Sequence, residues 1–478
     1  MPVVLTSAWA NGISGSWNTG SDWTEGVPQS SQASTALITV KGTYSVTSSQ
    51  VNSVGNLEMQ KTATLAIVAD SLHILTGTGA GALDGTIAVG DETALGLGIG
   101  GASTTFDNNG AINITGADGS AILVSGNVTL NGKGKINLQD GNSQIVSDGS
   151  AATLTNNNII SGTGTIGDPN LTFVNAANGK IGAVFPMEQL TIDAAGFTNA
   201  GLLEAIAGEL TIKSDIEQEG KGQIKAALAQ SGQDAIILGY GSTITGGTIS
   251  IVKGSTMVAI QGDDAIDALT KPIANAGTIE TDDLGSLTIS SAVKNASSGG
   301  LQAQDNTKIT VDGTVTGGTA QIFDTSSIAF DGPSSAKVTF EGAGMGIAIL
   351  DLGDATKFTG TVAGMSSPNE VIDLENIPFA NANVNFAKGL LTVTDSVNGT
   401  TDKIKIVGSA GPFNKAEASD GSTLISDPPE NPTNAVPLLA QSMASFAASS
   451  AVAASGTANP AYHDHSSEFL AAPAPHHG

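Results

Sequence analysis

The residues best equipped for chemistry in this chain are carboxylates. Pairs occur at Asp263-Asp264, Asp282-Asp283 and Asp373/Glu375, and glycoside hydrolysis needs two carboxyl groups at a fixed separation. Asp is also a preferred turn residue, so a solvated turn is the expectation for each pair. All 18 basic residues are lysine, which leaves no arginine to clamp an acidic sugar in bidentate fashion. His73 lies alone in the strand-like "SLHILTG", and a structural role is expected for it. No nucleophile elbow, P-loop, HExxH or dinucleotide fingerprint occurs. "GTGAGALDG" at 77–85 follows a strand but opens no helix, which argues against phosphate binding. No catalytic residue is therefore assigned. Calcium is the candidate cofactor, because oxygen-rich turns in an acidic, exported chain suit that ion. Asp351, Asp354, Asp373 and Glu375 form the candidate set, against the plainer alternative of surface charge. There is no EF-hand loop and no glycine-rich nonapeptide tandem.

The second group is aromatic. The chain has three tryptophans, Trp9, Trp17 and Trp23, and the 455 residues after Trp23 contain none. Indoles in one cluster can stack on a sugar ring, contact another subunit, or close the end of a structure whose core would otherwise be open. Trp17 and Trp23 flank the turn-like "NTGSD", which suits a folded lid better than a strand face. Capping, or assembly through that end, is the expectation for all three.

The elements that must position these groups are short strands. From about residue 50 to 345 the chain reads as four- to six-residue runs such as "GAINITG", "QLTIDAAG" and "TKITVDG". Val, Ile and Leu alternate with polar residues, and Gly, Asn, Asp or Ser bound each run, a period-2 strand pattern. Internal repetition sharpens the reading. "FTNAGLLEA" (197–205) returns as "IANAGTIET" (273–281). Leu210/Leu287, Ile212/Ile289, Ile216/Val293 and Ile224/Leu301 follow at a common offset of 77 residues. This predicts an all-β chain: a right-handed parallel β-solenoid in which apolar residues stack from coil to coil. The alternative is an array of hairpin sandwiches. Asn156, Asn157, Asn158, Asn199 and Asn275 are placed to form side-chain ladders along the stack. Coils of roughly 20–25 residues at about 4.8 Å give a rod about 60–70 Å long. Four parts are expected: an N-terminal cap (1–50) with the tryptophans, the solenoid (51–345), a β module that closes it (346–428), and a Pro/Ala/Ser-rich tail (429–478).

Residues 152–183, "ATLTNNNIISGTGTIGDPNLTFVNAANGKIGA", with "LTIDAAGFTNAGLLEA" after them, resemble the strand-repeat regions of large secreted or surface proteins of alphaproteobacteria. "VIDLENIPF", "LLTVTDSVNGTTDKIKIVGS" and "ASDGSTLISDPP" resemble the final module common in such proteins. The likeness covers most of residues 15–430. It implies export and an adhesive, biofilm-matrix or surface-layer role, and it supplies no catalytic residues.

Charge narrows the partners. The 44 acidic residues give a formal net charge of −26, which repels phosphate backbones and anionic membranes. No run of 18 strongly apolar residues suggests a membrane span. The absence of cysteine excludes disulfides and suits a chain exported unfolded. The amino terminus lacks the basic and apolar regions of a cleaved leader. After the proline-rich break "DPPENPTNAVP", Leu439, Met443 and Phe446 recur at helical spacing in a short helical segment, and the tail ends in a mobile, low-complexity stretch. His463, His465, His476 and His477 belong to that stretch. An uncleaved C-terminal export signal of the type I kind is expected there. The function expected is that of a secreted, non-enzymatic structural protein that associates with itself as a filament or layer, or adheres to a surface such as cell-surface polysaccharide. The alternative is a carbohydrate-active enzyme or binding module on the same fold.

Overall fold

The computed structural model describes residues 6–99, 103–227, 234–342 and 346–427. Over half of the chain is strand, wound into a parallel β-solenoid of about 15 turns. At about 4.8 Å per turn the stack is about 70 Å long. Most coils contribute three strands. Ala152–Asn156 lies on a first face, Ile159–Gly162 on a second and Gly164–Ile166 on a third. The next coil repeats this order with Leu171–Asn175, Lys180–Ala183 and Gln189–Ile192, each paired in parallel with its counterpart.

The strands form because alternate residues can be buried on like residues. On the first face one inward column runs Phe173, Phe197, Ile216, Ile244, Ile266, Ile289, Val311, Phe330, Leu352 and Leu374. Phe173 and Phe197 stack with their ring centroids 5.1 Å apart. The second face carries Ile160, Ile181, Leu203, Ile224 and Ile249; the third carries Ile166, Ile192, Ile212 and Leu238. All are buried. Corners need close backbone approach: at Gly162, with φ at +137°, a Cβ would stand 1.8 Å from the Leu138 carbonyl oxygen.

Asparagines form ladders at the corners, in two separate stacks. Asn156 Nδ2 donates to Asn175 Oδ1 at 3.0 Å, and Asn175 Nδ2 to Asn199 Oδ1 at 2.9 Å. The ladder continues through Gln218 to the Gly246 carbonyl. Asn275 belongs to the other stack, donating to Asn295, which donates to the Gly317 carbonyl. Asn157 instead donates to Asn131, and Asn158 accepts from Asn108. Asn175→Ala removes two buried ladder hydrogen bonds, leaving Asn156 its bonds to Asn158 and Asn199 its bonds to Gly201 and Gln218, so we expect a stability loss of about 1–3 kcal/mol, read as a lowered Tm. A neutral result would show that the ladder fills space without carrying energy.

The 77-residue sequence repeat does not equal whole coils. From Ile212 the third face passes through Leu238 and Ala259 to Thr281, three coils on. The repeat's equivalent residue, Ile289, lies in the following first-face strand. Ile216 and Val293 likewise fall on the first and second faces, and Ile224 and Leu301 on the second and third. The repeat therefore advances by one face, because each face makes the same demand of two inward apolar residues per strand.

Parallel stacking continues past the boundary placed by sequence at 345/346, reaching Leu374 on the first face and Val407 through the pairing of Thr361–Ala363 with Thr401–Val407. Beyond the first-face strand Glu370–Pro378 antiparallel pairing also appears. Thr401–Val407 closes an antiparallel meander with Ala382–Ala387 and Leu390–Asp395. Ser422–Ser426 pairs antiparallel with Val371–Leu374 and with Asn414–Glu417. The helical segment and tail expected at 429–478 lie outside the described residues.

Candidate functional site

At the amino-terminal end the three indoles come together. Thr6–Ala8 and Gly15–Ser16 pair in parallel with the next coil, and Trp9 bridges antiparallel to Trp23. Trp23 meets Trp9 edge-on at 5.1 Å and Trp17 at 5.0 Å; Trp9 stacks on Tyr44. Trp23 Nε1 donates to the Trp17 carbonyl and Trp9 Nε1 to the Ile13 carbonyl. Trp17 is fully buried, with no hydrogen-bond partner for its Nε1. Rings this enclosed offer no open face to a sugar.

The calcium candidates are partly united. Asp351 and Asp373 are register neighbours on the outer side of the first face, and Glu375 follows on the same side. Burial pushes the Asp351 carboxyl up to about 8, with Glu375 and Asp373 adding repulsion. Asp373 rises to about 6 from burial, although it accepts from Ser422 Oγ at 2.6 Å. Asp373 and Glu375 stand in the strand Glu370–Pro378, not in a turn. Asp354 is engaged elsewhere. It caps a short 3-10 turn through Thr356 and pairs with Lys357 at 3.0 Å, and its Thr356 hydrogen bond, helped by Lys357, holds its pKa low. Among the described residues no three His, Cys, Asp or Glu side chains converge as a metal-binding group.

The expected solvated turn at Asp263-Asp264 is half wrong. Asp264 is an inward residue of the strand Asp263–Asp267, 2% exposed and stacked on Leu287. Its Oδ1 accepts from the backbone N and Oγ of Ser242, its Oδ2 has no partner, and burial raises it to about 6. Asp282-Asp283 does end a strand in a left-handed turn. His73 is half-buried over Gly96, and burial lowers its pKa.

The third face carries an acidic group that sequence reading found only in part. Burial raises Glu280 to about 7, and Asp234 and Asp282 push it further. Burial and Asp234 raise Glu209, while a hydrogen bond with Asp282 and its charge raise Asp305. Gln304 Nε2 donates to both Glu280 and Asp282. Beside it runs a corner of left-handed non-glycine residues: Tyr240, Gln261, Leu284, Asn306 and Thr325. Tyr240 and Leu284 are exposed, and Lys213 lies over the Tyr240 ring. Strand periodicity places Glu280 and Asp282 on one side. The coil register that adds Asp234 and Asp305 is not visible in local sequence.

This chemistry amounts to carboxyl groups whose pKa values burial and mutual repulsion raise on the outer faces and corners of the stack. No protein-family model, curated protein or solved structure matches the chain, so the geometry alone carries its functional reading.

Proposed function

We propose that this protein is a non-enzymatic rod of a bacterial surface or extracellular matrix, working by association with copies of itself or by adhesion. The observation that carries this reading is the stack of three parallel sheets, whose apolar interior is buried coil on coil while the outside remains an unneutralised acidic surface. Against 44 acidic residues, the ion pairs formed among the described residues are Lys225–Glu204 and Lys357–Asp354. The buried tryptophan end is read as a lid on the first coil. No helix among the described residues is long and apolar enough to cross a membrane.

Like charge keeps such rods apart at low ionic strength, and salt screens the repulsion over a Debye length of about 8 Å at physiological strength. Association is therefore expected to be weak in low salt with a chelator and to grow with salt or millimolar Ca²⁺ (~1 mM). Light scattering and electron microscopy across that titration read it. A rod monomeric throughout removes self-assembly and leaves adhesion. One observation favours a second reading, a carbohydrate-active surface: Glu280, with its raised pKa beside Asp282 and Asp305, has the environment of a general acid next to a second carboxyl. Hydrolysis of a polysaccharide, lost in Glu280→Gln, would decide for that reading.

A further inference from the structure

Asp402 is the most enclosed charged side chain in the closing meander. It lies in Thr401–Val407, 0% exposed. Its Oδ1 accepts from Asn376 Nδ2 at 3.2 Å, and its Oδ2 is buried without a hydrogen-bond partner. Asn376 Oδ1 is likewise buried and unpartnered. Two acceptor-only oxygens on hydrogen-bonded neighbours thus lack a donor at the same place. Asp354 is near enough for its charge to act on Asp402. Lys357 pairs with Asp354 from a half-exposed position, and no lysine forms an ion pair with Asp402 among the described residues.

A buried acceptor left unmatched is costly, and a buried carboxylate more so. A neutral donor would satisfy the hydrogen bonds but leave the charge. Protonation, which burial of Asp402 favours, removes the charge at low pH; where the carboxyl is ionised, a cation answers both demands. The unpartnered donors are hard oxygens, one carboxylate and one amide carbonyl, with the Asp354 carboxylate adding negative charge from its place against Thr356 and Lys357, a set that suits Ca²⁺ with water completing its shell. The elements joined give such an ion a purpose. The Leu352–Leu374 pairing sets Asp354 and Asn376 at the same corner of successive coils, while Asp402 comes from the meander that follows them.

We propose that Asp402 and Asn376, with Asp354 beside them, hold a Ca²⁺ ion that fastens the closing meander to the last coils. This set differs from the one the sequence suggests: it retains Asp354 and replaces Asp351, Asp373 and Glu375 with Asn376 and Asp402.

The test is calorimetric titration of the full chain with CaCl₂ after chelation, with Tm followed in parallel. We expect a site with Kd of about 0.1–1 mM, in the range of extracellular modules, and a Tm that rises on Ca²⁺ addition. Asp402→Asn should lose one equivalent of Ca²⁺ and the Ca²⁺-dependent rise in Tm, whereas Asp373→Asn should keep both. Should Asp402→Asn not fold, Asn376→Ala serves in its place, with at least a tenfold weaker site expected. Hydrogen exchange of the wild-type chain should then show Ca²⁺-dependent protection at 401–407. The proposal is overturned by a wild-type chain that takes up no Ca²⁺ at about 10 mM. It is equally overturned by an Asp402→Asn or Asn376→Ala protein that binds as the wild type does, or by Ca²⁺ protection that misses this strand.

Discussion

Trp17→Ala lowers the stability of the rod by about 3–5 kcal/mol, the usual cost of emptying a large aromatic site in a packed core. Trp17 is 0% exposed, it meets Trp23 edge-on, and its carbonyl receives the Trp23 indole N–H. Truncation keeps that backbone acceptor but removes the edge-on ring contact, which loosens Trp23 and, through Trp23, the stack of Trp9 on Tyr44. Trp17→Phe is expected to cost less, because a ring remains and a buried N–H with no acceptor is removed. Thermal melts give the ranking. Native tryptophan emission should be blue-shifted and poorly quenched by iodide. Should Trp17→Ala melt like the wild type, or the native indoles emit as if in water, the lid role fails and sugar binding returns.

The second large effect is on pH. Asp351, Glu280, Asp264 and Asp373 rise to about 8, 7, 6 and 6 in the folded chain. A raised carboxyl stabilises the fold fully below its unfolded pKa, about 4, and that stabilisation is lost as pH climbs through the folded value. Tm should therefore rise as pH falls from about 8 towards 4.5, the reverse of ordinary acid denaturation. For Asp264 alone, buried and shifted by about two units, the contribution is on the order of 3 kcal/mol. Asp354 and Asp395, held low, act oppositely and only below about pH 4, so a maximum between the two regimes is expected. Asp264→Asn should flatten the rise between pH 4 and 6. A wild-type Tm that increases with pH across this window would falsify the assignment.

Strand spacing made the solenoid legible, since Ile and Leu at every second position admit few other solutions. The same rule reaches Asp264: counting back by two from Ile266 lands on an inward position. The acidic dipeptide hides this, because Asp-Asp beside Gly262 has the composition of a turn. Asp373 is hidden for a related reason. It stands between Ile372 and Leu374, both inward, which makes it a strand residue pointing outward. What sequence could not supply was register over a distance. Asp402 meets Asn376 across 26 residues, and Ser422 meets Asp373 across 49. Neither contact follows from local pattern, because the antiparallel meander intervenes. The tryptophans were conspicuous by type and position, but only the fold shows that their faces are covered.

The offset between repeat and coil has a consequence for how such a chain can grow. Because equivalent residues return one face further round, the unit of length change is the single strand, a third of a coil, and not the full circuit. A duplicated segment need only bring a whole number of strands to join the existing stack without a seam. A duplication whose strand count is not a multiple of three also turns the copied surface to another side of the rod. Chemistry copied from one flank would thus wind as a shallow spiral around the shaft, reaching all three sides once three copies are present.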